Sequence, residues 1–376
     1  MASVKQRPDG VWRARYRDAA GKEHARHFEL KRDAQRWLDE VTTSVLTGRY
    51  VDPKAGRITF RDYAEQWRGS QVHRGQTSDS YETRLRLHVY PVIGDMPLEA
   101  ITTSTLRGLV KRMSTASDGR AALAPSTVAL VFKIIGSVFR AAVHDKKIAE
   151  SPCTGVRLPK VGKTRVVPLT HAQVEILRDQ VPAELSALIV LVAGTGLRQG
   201  EALGLTRDRV RLLGKNPAVT VDRQLVTRAG GTAEFGPVKT EASDRVVPLP
   251  RVVVAALNEH IAMYGVGDGE LLFTLGGKGI TRQKFGHAFA AARTAAKLTD
   301  STGTGLHSLR HFYASLLIRH GESVKVVQTR LGHATAAETL DTYSHLWPDS
   351  DDRTREAIDS VLFADSADSL RTADQN

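Results

Sequence analysis

Between Ser151 and Pro168 the chain places Pro152, Pro159 and Pro168 beside Lys160, Lys163 and Arg165. Each proline fixes its own φ, lacks an N–H and pushes the residue before it out of the helical region, so no helix or central strand can run through this stretch. It reads as an extended, basic linker, and the chain must build separate folded units on either side of it. The length of 376 residues agrees, because about 150 residues per domain predicts two or three units.

Ahead of that linker the hydrophobic period changes. Trp12, Ala14 and Tyr16 alternate with Arg13, Arg15 and Arg17, the period-two pattern of a strand with one apolar and one arginine face. Pro8-Asp9-Gly10 and Asp18-Ala19-Ala20-Gly21 are turn signals on either side, and His24 to Phe28 can return as another strand. Ala34, Trp37, Leu38, Val41 and Val45 then fall on one helical stripe. Residues 1–50 are expected to form a small β-sheet backed by one helix, with the arginines facing outward. Gly48 to Arg57, with Pro53 and Gly56, reads as a first linker.

From residue 58 the period is that of helices. Thr59 with Asp62 three residues later is a helix start, and Phe60, Ala64 and Trp67 continue on one face. Tyr81, Leu85 and His88 or Val89 mark a second helix, and Leu106, Leu109, Val110 and Met113 a third. After Pro125, the positions Val128, Val131, Phe132, Ile135, Val138, Phe139 and Ala142 hold the 3.6 period for about four turns. Residues 58–158 are therefore expected to be all-α. Residues 165–348 mix helices with short strands around Val219 to Val226 and Arg245 to Leu249, a mainly-α α+β unit. The tail, 349–376, is acidic, with Ile358, Val361 and Leu362 at helical spacing.

Charge narrows the partner. Lys and Arg number 53 against 41 Asp and Glu, a net +12 with pI ≈ 9.8. The tail holds eight acids against three arginines, so the basic surplus sits in the body and favours a polyanion. Cys153 is the single cysteine, which excludes an internal disulfide and a cysteine zinc cluster and fits a reducing compartment. The N-terminus lacks the apolar core of a signal peptide, and the run Leu185 to Ala193 falls short of the ~20 residues that span a bilayer. An intracellular chain with no membrane partner is expected.

The second half carries a set of side chains suited to one reaction: Arg198, Lys239, His307, Arg310, His333 and Tyr343. Cutting a phosphodiester with a side chain requires a nucleophile, positive charge for the non-bridging oxygens and a proton for the departing 5′ oxygen. Arginine suits the second role, because its planar fork matches phosphate and stays charged; Arg198 and Arg310 are the pair. Glu201, three residues after Arg198, can fix that guanidinium from the next helical turn. His307 and Arg310 share a side of a helix running to about Arg319, whose buried stripe is expected to be Leu309, Phe312 and Leu316. Lys239 follows Gly236-Pro237 at a turn between strand-like stretches, where a hairpin tip would present an ammonium able to protonate the leaving oxygen. His333 follows Gly332, which closes the helix of Val324, Val327 and Leu331. Thr335 and Glu338 form a capping box opening a short helix, on which Leu340 is expected to anchor and Tyr343 to face the cleft.

These residues stand in the strings TGLRQGEALGL, PVKTEASDRVVPL, LHSLRH, LGH and TLDTYSHL. In that order the strings closely resemble the tyrosine recombinase family, phage-integrase type. The resemblance implies an arm-type DNA-binding domain over 1–50, a core-binding domain over 58–158 and a catalytic domain over 165–348. It implies Tyr343 as nucleophile, a 3′-phosphotyrosyl intermediate, and strand exchange with no metal and no cofactor; no G-x-x-x-x-G-K-[ST] phosphate loop is present. Expected partners are double-stranded DNA at arm and core attachment sites, a homotetramer on that DNA, a DNA-bending host factor and an excisionase. Arg13, Arg15, Arg17, Lys160, Lys163 and Arg165 are the expected additional DNA contacts. The setting implied is the bacterial cytoplasm, at the nucleoid, where the protein would integrate a phage or other mobile element. Two readings remain beside this one: a type IB topoisomerase, sharing the chemistry without pairing sites, and a DNA-binding regulator with a vestigial pocket.

Overall fold

The computed structural model describes residues 2–17, 21–46, 52, 54–72, 75–117, 119–162, 165–228, 231–298 and 305–347, and in the tail 355–356 and 358–359. Lys163, most of the first linker and nearly all of the acidic tail, including Val361 and Leu362, lie outside the described residues. The chain divides into two compact units, Met1–Gly162 and Lys163–Asn376.

The first unit opens with three antiparallel strands in chain order, β1 (Ser3–Gln6), β2 (Trp12–Arg17) and β3 (Glu23–Phe28). In β2 the alternation works as its residues dictate: Ala14 and Tyr16 are buried, while Arg13 and Arg17 are exposed. Helix α1 (Lys31–Leu46) sets Ala34 and Leu38 against that apolar face, joined by Trp12, Phe28, Trp37 and Val41. Strand β1 carries no apolar alternation that would have marked it; it pairs with β2 through backbone hydrogen bonds, Val4 opposite Ala14.

The helical part follows its capping residues. Thr59 accepts from the Asp62 N–H to start α2 (Phe60–Ser70), and α3 (Gly75–Arg84) runs into a π-helical turn over Leu85–Val89 and then α4 (Tyr90–Ile93). The reason for the wide turn is Pro91, which offers no N–H to the preceding turn; the Tyr90 N–H reaches back five residues to the Leu85 carbonyl instead. A single regular second helix was the simpler expectation, and proline overrides it. Thr102 and Thr105 cap α5 (Thr103–Ser114) reciprocally, and Pro125 begins α6 (Pro125–His144). By length and composition α6 alone among the described helices could cross a membrane. Its seven buried side chains, from Val128 to Ala142, face Phe60, Leu85, Leu106 and their neighbours in the core of this unit.

In the second unit α7 (His171–Gln180) leads to α8 (Ala183–Thr195), which has Leu185, Leu188, Ile189, Leu191 and Val192 all at 0 % exposure. A helix apolar all round must be covered all round, and α7, α10 (Arg251–Tyr264) and α12 (Leu306–Arg319) pack against it. The short α9 (Gln199–Leu203) follows, then β4 (Val210–Arg211), β5 (Ala218–Val221) and β8 (Arg245–Pro248), which form one antiparallel sheet in the order β4-β5-β8. β6 (Arg223–Thr227) and β7 (Ala233–Pro237) form a separate hairpin. The stretch expected as strand from Val219 to Val226 is thus two strands of different sheets, parted at Asp222. Helices α11 (Arg282–Ala295), α13 (Val324–Leu331) and α14 (Ala336–Tyr343) complete the unit.

The stripe expected on α12 differs from the observed one. Leu306, Leu309, Tyr313, Ala314 and Ile318 are buried, whereas Phe312 and Leu316 are only half-buried. The helix is covered on more than one side, so its apolar face is wider than a single stripe.

Phe139, at 0 % exposure, packs its ring 5.4 Å from that of Phe60 at the centre of the helical core. Phe139→Ala should destabilise this part by about 3–5 kcal/mol, read as a lowered midpoint in urea denaturation.

Candidate active site

The path to the site begins where α8 must stop. Gly196 takes a left-handed φ of +65°, and a Cβ there would lie 2.5 Å from the Tyr313 ring, so only glycine fits. This turn delivers Arg198 to the start of α9. Arg198 donates from its backbone N–H to Glu201 Oε2 (2.9 Å) and from Nη1 to Glu201 Oε1 (2.9 Å). Glu201 is buried and also accepts from Arg245, Nη2 to Oε2 at 2.9 Å. Burial raises the Glu201 carboxyl pKa, but Arg245 and then Arg198 more than offset it, so the net shift is downward and the carboxylate stays ionised.

Both arginines continue to the end of α13. Arg198 Nη2 donates to the Gly332 carbonyl (2.7 Å) and Arg245 Nε to the Arg330 carbonyl (2.9 Å). They thus satisfy carbonyls that a helix end leaves open, with charge of the favourable sign. Gly332, at φ +66°, turns the chain there, and a Cβ would sit 3.0 Å from both the Ala242 carbonyl and the Arg245 guanidinium. His333 emerges directly from this clamp, buried, with Nδ1 2.8 Å from Thr339 Oγ1.

Arg310 reaches the same place from α12. It is 1 % exposed and donates from Nη1 to the Gly196 carbonyl at 2.8 Å. Among the described residues it forms no ion pair with a carboxylate, and its buried Nε has no hydrogen-bond partner. Burial and the nearby Arg198 push its pKa down to about 9. A guanidinium held this way has room in its donor set for an anion.

Arg198, Lys239, His307, Arg310, His333 and Tyr343 all line one cavity of about 390 Å³, together with Thr240, His311, Ala334, Glu338 and Thr342. Lys239 is exposed on the connection from β7 to β8. This differs from the expected hairpin tip: the β6–β7 loop falls at 228–232, and Lys239 lies past the opposite end of β7. His307 stands at the mouth and is the most exposed of the cavity's histidines. Crowding by surrounding protein, then Arg310, Arg198 and Lys239, push it down to about 4.

On α14 Tyr343 lines the cavity as expected, but the expected anchor differs. Leu340 is 42 % exposed, while Tyr343 is 1 % exposed among Tyr313, Ile318, Val327 and Leu331. The aromatic ring, not the leucine, anchors α14. Thr335 accepts from the Glu338 N–H as a cap, but the Glu338 carboxylate does not return to Thr335; it lies 3.8 Å from His333 Nε2. Burial raises the Tyr343 phenol to about 12, with Arg310 opposing the shift.

The Tyr343 hydroxyl lies 2.7 Å from Nδ1 of His311, a residue that sequence reasoning passed over. The signal was available, since His311 follows Arg310 directly and stands one helical turn after His307. The other expected contacts are dispersed: Arg13 and Arg17 are exposed on β2, and Arg15 is tied to Ser3 Oγ at 2.9 Å. Lys160 is exposed at the end of the first unit and Arg165 at the start of the second.

Comparison with known proteins accounts for this arrangement. Residues 168–349 match the phage integrase family and residues 60–158 the phage integrase central domain. The integrase of Mycobacterium phage FRAT1 is 26 % identical over 318 residues, covering 81 % of this chain and 91 % of that protein. The fold is that of the Tn1549 transposon integrase solved with a circular intermediate DNA, with a TM-score of 0.67 at 22 % identity, covering 81 % of this chain and 100 % of that one. It is also that of the lambda integrase tetramer bound to a Holliday junction, with a TM-score of 0.54 at 18 % identity, covering 89 % and 96 %. The chain belongs to the phage integrase family of tyrosine recombinases.

Proposed function

We propose that Tyr343 cuts DNA by attacking a phosphodiester, forming a 3′-phosphotyrosyl link that a 5′ hydroxyl from another strand then resolves. The observation that carries the reading is the buried Arg310, without a carboxylate partner among the described residues, sharing one cavity with Arg198 and the phenol of Tyr343. A phosphate between the two guanidiniums receives charge where the transition state develops it. Lys239 at the mouth protonates the 5′ oxygen, and His307 and His333 hold the phosphate or pass protons. Glu201 supports the set by holding Arg198 in place.

In this reading residues 165–348 are the catalytic domain, 58–158 the core-binding domain and 1–50 an arm-binding domain whose Arg13 and Arg17 reach phosphates. Lys160, Lys163 and Arg165 lie along the backbone of the duplex, and 349–376 is a separate acidic tail. The protein works as a homotetramer on attachment-site DNA, as the lambda integrase tetramer does on a Holliday junction. It integrates a phage or other mobile element in a bacterial cytoplasm, and a DNA-bending host factor and an excisionase set the direction.

Three outcomes are expected. On a suicide duplex nicked opposite the scissile phosphate, the protein should form a covalent adduct that Tyr343→Phe abolishes while DNA binding persists; binding with no adduct from either protein would point to a regulator. Deleting residues 1–50 should spare cleavage of a short core site and impair integration between full sites, measured as recombinant product. Glu201→Gln leaves the buried Arg245 and the half-buried Arg198 without their shared carboxylate and should cost about 3–5 kcal/mol. The Glu201 pKa is lower in the folded protein, so its contribution is present above the unfolded value and lost as pH falls through the folded one. The acid limb of the stability curve should therefore flatten in Glu201→Gln, measured by thermal unfolding across pH.

A further inference from the structure

The atom that must attack phosphorus already has a hydrogen-bond partner, and it is none of the six residues named from the sequence. Tyr343 Oη and His311 Nδ1 are 2.7 Å apart, with the two rings at 68° and their centroids 5.5 Å from one another. Among the described residues the hydroxyl has no other acceptor within hydrogen-bonding distance, and we take the phenol as the donor and Nδ1 as the acceptor. His311 therefore carries its proton on Nε2 when neutral.

The other two histidines are engaged elsewhere. His333 turns Nδ1 to Thr339 and stacks its ring nearly parallel to that of Tyr343, with centroids 6.4 Å apart. His307 meets His311 edge to face, with centroids 4.5 Å apart, and lies toward Arg310, Arg198 and Lys239. Of the three imidazoles, His311 is the one in contact with the reacting oxygen.

We propose that His311 is the general base that takes the phenolic proton as Tyr343 attacks the scissile phosphate. The inference rests on the reading of Tyr343 as nucleophile. As the Oη–P bond forms and the P–O5′ bond breaks, the proton moves along the existing hydrogen bond to Nδ1, giving an imidazolium. The departing 5′ oxygen takes its proton from the Lys239 ammonium. In the return step the incoming 5′ hydroxyl gives its proton back to Lys239, and His311 returns its own to the leaving phenolate.

The surrounding protein keeps this base weak. Burial, then His307, Arg310 and His333, push His311 down to about 3. A phosphodiester between Arg198 and Arg310 adds the negative charge that is missing there, which raises the basicity of His311 and lowers the cost of its imidazolium. The tyrosine is thus activated by the arrival of its target phosphate and left protonated without it.

The test is single-turnover adduct formation on a suicide duplex. His311→Asn keeps an acceptor near the Nδ1 position but cannot take the proton, and His311→Ala removes both. Both should bind DNA as the parent does and form adduct about 10²–10⁴-fold more slowly, and added imidazole should restore part of the rate of His311→Ala. A substrate with a 5′-bridging sulfur, which leaves without a proton, should restore Lys239→Ala but leave both His311 variants slow. His311→Asn cleaving at the parent rate, restoration of the His311 variants by the sulfur substrate, or no response of His311→Ala to imidazole would each overturn the proposal. Failure of the parent protein to form adduct would strike the reading of Tyr343 instead.

Discussion

A single buried carboxylate organises the second unit. Glu201 holds Arg198 on one side and Arg245 on the other, and those two guanidiniums grip the last carbonyls of α13. Removing two positive charges and one negative charge from water costs several kcal/mol per ion unless each is fully engaged. Here each carboxylate oxygen accepts from both arginines, and each arginine gives further donors to Ser243 and to a helix end. Position follows from that satisfaction: α9 and α13 cannot shift relative to one another without breaking the arginine hydrogen bonds to the carbonyls at the end of α13. His333 and the start of α14 leave from this clamp, and the Tyr343 ring is seated by the core behind it.

Arg310 has the opposite character. It is 1 % exposed, yet it meets a backbone carbonyl where Arg245 meets a carboxylate. The two arginines divide the work of the site, one closed by Glu201 and the other left with capacity for a ligand. The three histidines around Tyr343 share that bias, since each is held below the usual histidine range by burial and by neighbouring cations or imidazoles. A cavity lined in this way repels protons and cations and favours a phosphate.

What was legible in the sequence was what lies close along the chain. Arg198 with Glu201, His307 with Arg310, and the turn at Gly332 before His333 are each set by spacings of a few residues, and helical geometry carries those spacings into space. The β2 alternation and the α6 stripe were legible for the same reason. Pairings across long separations were not. Arg245 meets Glu201 across 44 residues, and His311 meets Tyr343 across 32. The α14 anchor was misread because Leu340 and Tyr343 stand three apart and either could anchor; Tyr343 packs with Tyr313, Ile318, Val327 and Leu331 while its hydroxyl still reaches the cavity. Pro91 shows the same limit, since its missing N–H was visible but the π turn that answers it depends on how the backbone can rearrange locally.

The unpartnered Nε of Arg310 ties conformational stability to cargo. Folding desolvates a charge that Glu201 offsets only in part and that no carboxylate among the described residues pairs directly, so on the proposed reading a phosphodiester bound there would add to the stability of the folded unit. By linkage, a duplex that binds only the folded unit would raise its apparent stability, and the gain would grow with DNA concentration. Integrity of the fold and occupancy of the cleft are in that sense coupled.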